Sequence, residues 1–402
     1  MPEIAYLKNR DRRRGSAELF PTDQPLSLDD MIGRANDVET VARTLIGGGH
    51  VTIAGPRRTG KTSVCDAAIE VCAGEECHTA SVDLFHYADA AQLAEALTVA
   101  VLANRPVIRR AFAGARGEGR RLATVLAEVG VNRALAELGF DLGPILDPGT
   151  AAADPSRALL AALELPERIA AADGRRLVLF LDEFQEIASP RGLYGDPDVV
   201  TRQMRAVLQR SPHVSVLFAG SMEHLMRDLF APAERAFSQF GSYHELAGIT
   251  DAEWTQGLRE RFARDHCTIS DTALERLISA GQGHPRATML IAQKTHELSL
   301  EELTHEIDDA LVRVGRDRAM LADRLKHEQT LERIRLLGRH AQKMAQRVAV
   351  GATLYEGLAP QTASRTLEAL HDAGIVDRLG RRWSISDPLM RDYLEALAAG
   401  RI

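Results

Sequence analysis

Three short stretches of this 402-residue chain carry residues whose types and spacing suit phosphate chemistry. The first is VTIAGPRRTGKTSV, Val51 to Val64. Within it Gly55, Gly60, Lys61 and Thr62 stand in the spacing G-x-x-x-x-G-K-[ST] of a phosphate-cradling P-loop. Backbone N–H groups across such a loop point inward at phosphate oxygens, and the helix that follows adds the positive end of its dipole. The candidate nucleotide contacts are therefore Gly55, Pro56, Arg57, Arg58, Thr59, Gly60, Lys61, Thr62 and Ser63. In this pattern Lys61 reaches the β- and γ-phosphates, and the Thr62 hydroxyl ligates Mg²⁺. Arg57 and Arg58 are not required by a phosphate cradle, and phosphate chemistry alone does not account for them.

The second stretch is Asp182-Glu183, which follows the apolar run LVLFL, Leu177 to Leu181. A carboxylate at the carboxyl tip of a strand in the same sheet as the P-loop strand is where a Mg²⁺-positioning Asp belongs. Glu183 beside it is placed to orient and deprotonate an attacking water as general base. The third stretch is VSVLFAGS, in which Ser221 follows a strand-like run. It is read either as a polar sensor near the γ-phosphate, counted among the catalytic candidates with Lys61 and Glu183, or as a turn serine.

These residues need a sheet to hold them together. Val51 to Ala54, Thr79 to Leu84, Leu177 to Leu181, Val214 to Ala219 and a weaker run near Tyr243 to Leu246 read as strands separated by long helical stretches. Strands alternating with helices specify an open parallel α/β sheet. The helix before the first strand is expected to start at a cap formed by Asn36 and Asp37. Its apolar face is Val38, Val41, Ala42 and Leu45, and Gly47 to Gly49 stop it. Residues 1–29 read as an irregular arm, 30–249 as the nucleotide-binding core, and about 87–175 as a helical insertion within it. From Thr250 the pattern turns helical: 250–330 reads as a helical lid. Residues 331–402 read as a winged helix-turn-helix, with a recognition helix over Gln361 to Ala373 and a wing carrying Arg378, Arg381, Arg382 and Trp383.

Bulk properties narrow the function classes. Hydrophobic residues are 45% and charged residues 26%, which is ordinary for a globular chain. No apolar run is long enough to span a membrane, and the first residues lack the apolar stretch of a signal peptide, so a cytoplasmic protein without a membrane partner is expected. Cys65, Cys72, Cys77 and Cys267 have no metal-ligand spacing, which leaves structural or incidental thiols in a reducing compartment. The net charge of −7 argues against a chain coated overall in nucleic acid. Basic residues do cluster in Lys8 to Arg14, and again in Arg313 to Arg347, where ten Lys/Arg face four Asp/Glu. Either cluster is a phosphate-binding face or a solvated surface.

Taken together, DMIGRANDVETVARTL, VTIAGPRRTGKTSV, VDLF, LVLFLDEFQEI, VLFAGSMEHLMRDLF, GQGHPRATMLIA and ISDPLMRDYL resemble the archaeal-type ATPases of the STAND class within the AAA+-like P-loop proteins. The resemblance covers about residues 30–400 and is loosest over 87–175. It implies an additional-strand P-loop core followed by a helical lid and a winged helix, with ATP or ADP and Mg²⁺ as cofactors. It also implies that Gly33 and Arg34 contact the adenine side, and that His284 and Pro285 lie against the nucleotide. Arg286 is either a second-sensor arginine or lid surface. Arg227 and Arg235 are the candidates for an arginine finger, which acts across a homo-oligomer if supplied in trans. The G-P-R-R sequence is itself a mark of these proteins. The expected function is a slowly hydrolysing ATP switch whose nucleotide state sets the arrangement of lid and winged helix. The rival readings are a DNA-binding ATPase and a non-hydrolysing nucleotide-bound scaffold engaging a protein partner.

Overall fold

The computed structural model describes residues 15–54, 59–105, 143–146, 151, 153–188, 194–220, 223–230, 236–380 and 382–402. The described chain forms two compact units, one of residues 35–54 and 61–246, the other of 15–34, 59–60 and 247–402.

In the first unit, β1 (Val51–Ala54), β2 (His78–Asp83), β3 (Leu177–Asp182), β4 (Val214–Gly220) and β5 (Ser242–Glu245) form one sheet. Its order is β2-β3-β4-β1-β5 and every pairing is parallel. β4 therefore lies between the P-loop strand β1 and the acidic strand β3, the additional-strand arrangement expected from the sequence. Parallel strands are covered on both faces and so are apolar throughout. Leu177 to Leu181 and all of β4 are buried accordingly. Register places Asp83 opposite Asp182, and Ala54 opposite Gly220. The carboxyl ends of these strands thus share one edge, where open α/β sheets bind ligands.

Helices cover this sheet. In Ala35–Ile46 the buried residues are Val38, Val41, Ala42 and Leu45, as their helical spacing predicts. The helix starts at Ala35, not after an Asn36–Asp37 cap, and the Asp37 carboxylate lies 2.9 Å from His244 Nε2. Ala90–Leu102 and Pro155–Asp173, from the stretch read as a helical insertion, contribute Leu93, Leu97, Leu159 and Leu163 to the same core as the sheet. Beneath the end of β3 the core is aromatic. Phe184 lies 4.7 Å from Phe218 and 5.5 Å from Phe237 by ring centroids, in edge-to-face contact with both.

The second unit is mainly helical. Its helices are Asp251–Ala263, Asp271–Gly281, Pro285–Glu301, Asp309–Ala322, Arg324–Leu336, Ala341–Ala349, Pro360–Asp372 and Pro388–Ala398. Thr250 and Glu253 form a reciprocal capping box at the first of them. Two short strands, β6 (Thr268–Ile269) and β7 (Glu306–Ile307), pair in parallel, and β8 (Val376–Leu379) and β9 (Arg382–Ile385) form an antiparallel hairpin. The arm expected to be irregular contains a short helix, Ser16–Leu19, with Leu19 and Phe20 buried. Phe20 packs 4.7 Å from Phe262, and Ser16 Oγ lies 2.8 Å from His296 Nδ1. His296 Nε2 meets Asp265 Oδ2 at 3.0 Å, so both ring nitrogens of this buried histidine are engaged in holding the segment. Among the described residues no helix is long and apolar enough to cross a membrane.

The aromatic anchor under β3 makes a direct prediction. Truncating Phe184 to Ala should lower unfolding free energy by about 3–5 kcal/mol. Denaturant titration of the two proteins measures it, and a loss below about 1 kcal/mol would mean that the cluster does not hold this turn.

Candidate functional site

Lys61 and Thr62 open the helix Lys61–Gly74, directly after Gly60. Gly60 has φ +91°, and a Cβ added there would meet nothing within 4 Å. The glycine is needed for its left-handed backbone, not for lack of room. Lys61 is 7% exposed. Thr62, Ser63 and the N–H groups of this first turn form the positive end of the helix.

The Thr62 hydroxyl lies 3.4 Å from Asp182 Oδ2. Residues 120 positions apart are thereby brought together, because the helix after β1 and the tip of β3 face the same edge. Asp182 accepts a 2.8 Å hydrogen bond from the Glu183 N–H through its other oxygen. Burial pushes the Asp182 carboxyl up to about 6 against the opposing effect of that bond, and the charges of Glu183, Asp83 and Asp66 add to the rise. A partly desolvated carboxylate crowded by others, with a hydroxyl beside it, is a set of hard oxygen donors that suits a divalent cation of the Mg²⁺ kind. Thr62 and Asp182 fit that group as its direct protein ligands.

Glu183 follows in the left-handed region at φ +47°, where a side chain is strained. The cause is local: Asp182 ends a buried strand, and Phe184, fully buried, must turn straight back into the core to begin the helical turn Phe184–Ala188. The Glu183 carboxylate accepts a hydrogen bond from Gln185 Nε2. Glu183 is thus held beside Asp182 at the strand tip.

Other expected residues have different partners. Arg34 is 5% exposed and donates to the carbonyls of Ala247 at 2.7 Å and of Thr59 at 3.2 Å, so it braces the backbone of the loop. Gly33 has φ +68°, and a Cβ there would come within 2.8 Å of Ile249. His284 caps the helix that Pro285 opens, its Nδ1 accepting from the Ala287 N–H at 3.2 Å. Arg286 forms a paired contact with Asp323, one bond being 2.9 Å from Nη2 to Oδ1. Although burial opposes it, Arg286 and Lys326 bring the Asp323 carboxyl down to about 2. The candidate second-sensor guanidinium is therefore ion-paired inside its own unit. Gly55, Pro56, Arg57, Arg58 and Ser221 lie outside the described residues, as do Arg235 and Arg381. Arg227 lies on the helix Glu223–Phe230.

Three residues of the site were not singled out from the sequence. Asp83 ends β2 opposite Asp182, accepts from the Phe85 N–H at 2.9 Å and meets His86 Nδ1 at 3.0 Å. Asp66 lies one helical turn after Thr62 and adds to the carboxylate field at Asp182. Gln185 holds Glu183. The acidic end of the strand TASVDL was a readable signal for Asp83; the other two become visible only once the sheet is assembled.

No protein-family model matches the sequence, and no curated protein matches it. Solved structures do. A Walker-type ATPase of Pyrococcus abyssi aligns with TM-score 0.63 and 14% identity, over 94% of this chain and 99% of that one. The ORC2 protein of Aeropyrum pernix in its ADPNP–ADP complexes aligns with TM-score 0.56 and 15% identity, over 96% and 98% of the two chains. Its ADP form gives TM-score 0.50 at 15% identity, over 97% and 99%. At these identities the likeness establishes the fold alone: this chain shares the parallel α/β architecture of these structures.

The raised Asp182 carboxyl carries a stability consequence. Its folded value, about 6, exceeds its ordinary 3.8, so between those values the folded state binds more protons than the unfolded one. The contribution of this group to stability is therefore present at the acid end and is lost as pH rises through about 6. Asp182→Asn removes that penalty. In the ligand-free protein the variant should gain more in melting temperature, relative to the parent, at neutral pH than at a pH near 4. A gain equal at both pH values would contradict the buried, crowded state of Asp182.

Proposed function

We propose that the chain is a Mg²⁺-dependent ATPase of the STAND type that works as a slow molecular switch. The observation that carries this reading is the 3.4 Å approach of Thr62 Oγ1 to Asp182 Oδ2 with Glu183 next in the chain. A merely structural polar cap on β3 has no need of a P-loop threonine at that point.

In this mechanism the loop N–H groups and the N-terminus of the helix Lys61–Gly74 hold the phosphates, and Lys61 places its charge on the β- and γ-phosphate oxygens. Thr62 and Asp182 hold the cation, which when bound neutralises charge developing on the transferring phosphoryl group. Glu183 orients the water and accepts its proton at a carboxylate oxygen. The water oxygen then bonds to the γ-phosphorus as the bond to the bridging oxygen breaks, ADP leaves, and the proton passes from Glu183 to the released phosphate. Gly33 and Arg34 border the adenine side, and His284 and Pro285 approach the nucleotide from a lid of residues 250–330. Arg286 must exchange Asp323 for phosphate if it acts as a second sensor. Ser221 is assigned as a sensor, and Arg57 and Arg58 as loop contacts. The nucleotide state sets the arrangement of the lid and of a winged helix over 331–402. An arginine supplied by a second copy, with Arg227 and Arg235 as candidates, couples hydrolysis to self-assembly.

A second reading, DNA contact through the winged helix, rests on the β8–β9 hairpin. Arg378 and Arg382 are exposed there, and the Arg378 guanidinium stands 5.5 Å over the Trp383 ring. These are groups suited to phosphate contacts.

Two measurements test the proposal. Lys61→Ala should weaken ATP binding at least about 100-fold. Glu183→Gln should leave binding intact and slow phosphate release by about 10²- to 10⁴-fold. Equal release by Glu183→Gln and the parent removes the base role, whereas tight binding with no release by either favours a nucleotide-bound scaffold. For the second reading, retention on duplex DNA should fall with salt, and Arg378→Glu with Arg382→Glu should flatten the log–log slope by about 2. An unchanged slope excludes the hairpin from DNA contact.

A further inference from the structure

One side chain at the tip of the sheet has a geometry that the hydrolytic mechanism leaves unused. Gln185 is 1% exposed, and its Nε2 donates to Glu183 Oε2. Its Oε1 is sealed from solvent and accepts no hydrogen bond from the described residues. Leaving a buried amide oxygen unmade costs about 1–3 kcal/mol, so an apolar residue of the same size would suit the fold at least as well. The amide is kept in place by packing. Phe184, one residue earlier, is fixed against Phe218 and Phe237. On the other side is Gly220, the last residue of β4, where a Cβ would stand 2.5 Å from Gln185 Oε1 and 2.5 Å from Met226 Cγ and Sδ. A side chain at Gly220 would therefore collide with the amide. Met226, itself fully buried, closes the space behind it.

We propose that Gln185 is a positioning residue for Glu183, and that the bare Gly220 provides the space in which it works. The Nε2 donor fixes Oε2 and with it the orientation of the carboxylate that accepts the proton of water. A glutamate side chain otherwise distributes over several rotamers, and one donor anchored in the core selects among them. The same wedge links β4, the strand that precedes Ser221, to the base, so a shift at the strand tip is transmitted to Glu183 through the amide. This inference rests on the hydrolytic reading above.

The test uses the full-length protein with Mg²⁺ and ATP. Gln185→Leu removes the donor together with the unpartnered oxygen. It should lower kcat by about tenfold to a hundredfold, the scale of a misplaced catalytic group. KM for ATP should stay within about twofold, and the melting temperature should be no lower, because the interaction matters in the chemical step and not in binding. Gln185→Glu, of equal size, replaces the donor by an acceptor and should lower kcat at least as far. It also serves if the leucine variant does not fold. In a Glu183→Gln background, Gln185→Leu should change the residual phosphate release by less than about twofold, because the group it positions is gone. Unchanged or raised kcat in both Gln185 variants overturns the inference, and so does an equal loss with and without the Glu183 carboxylate. A parent protein that releases no phosphate from ATP overturns the hydrolytic reading itself and is distinguished by that result.

Discussion

The structure turns on how a strand buried on both faces hands over, within one residue, to two carboxylates. Leu177 to Leu181 are fully buried, and Asp182 stands at the boundary with only part of its surface reachable by water. Phe184 then enters the core again, where Phe218 and Phe237 hold it edge-on. Glu183 is the single residue between those two demands, and its left-handed backbone, φ +47°, is the local consequence. Strain of this kind costs about 1–3 kcal/mol and persists only where the surroundings over-determine it. Here the aromatic cluster, the Glu183 N–H bond to Asp182 and the Gln185 bond to the Glu183 carboxylate do so together.

The same boundary explains the electrostatics. Parallel pairing aligns Asp83 with Asp182, and the helix that starts at Lys61 contributes Asp66 to the same field. Negative charge therefore accumulates at one edge of the sheet, next to a hydroxyl and a helix N-terminus. Burial is the main reason that the Asp182 carboxyl is pushed up to about 6, and the neighbouring carboxylates add to the rise. The fold accepts a penalty in its ligand-free state at the place where a bound divalent cation and phosphates would relieve it. Ligand binding and stability are linked for that reason.

Much of this was legible in the sequence because it depends on local signals. The P-loop spacing, the apolar run of β3 and the acids that end it need no tertiary information, and the order of strands and helices pointed to a parallel sheet, to which the family resemblance added the additional strand. What was not legible depends on packing between distant segments. Asp37 reads as a helix cap, yet it pairs with His244 from β5, and the helix starts two residues earlier. Ser16 to Phe20 read as part of a leader, yet Phe20 and Ser16 find Phe262 and His296 some 240 to 280 residues away. His284 and Arg286 carried functional readings from family likeness, whereas their visible partners are a helix N-terminus and Asp323. Gln185 entered only as a letter of the LVLFLDEFQEI stretch that carries the resemblance, with no role given to it. Its meaning depends on Gly220, which no periodicity connects to it.

The central claim is that Thr62 and Asp182 act as one cation site serving a bound nucleotide. A double-mutant cycle measured by calorimetric titration of a non-hydrolysable ATP analogue tests it most directly, with Thr62→Ala, Asp182→Asn and the double variant compared in the presence and absence of Mg²⁺. The account predicts tighter binding with Mg²⁺ in the parent. Each single variant should lose most of that gain, and the double variant should lose little more than either alone. Losses that simply add, or a parent that binds the analogue equally well without Mg²⁺, would contradict it.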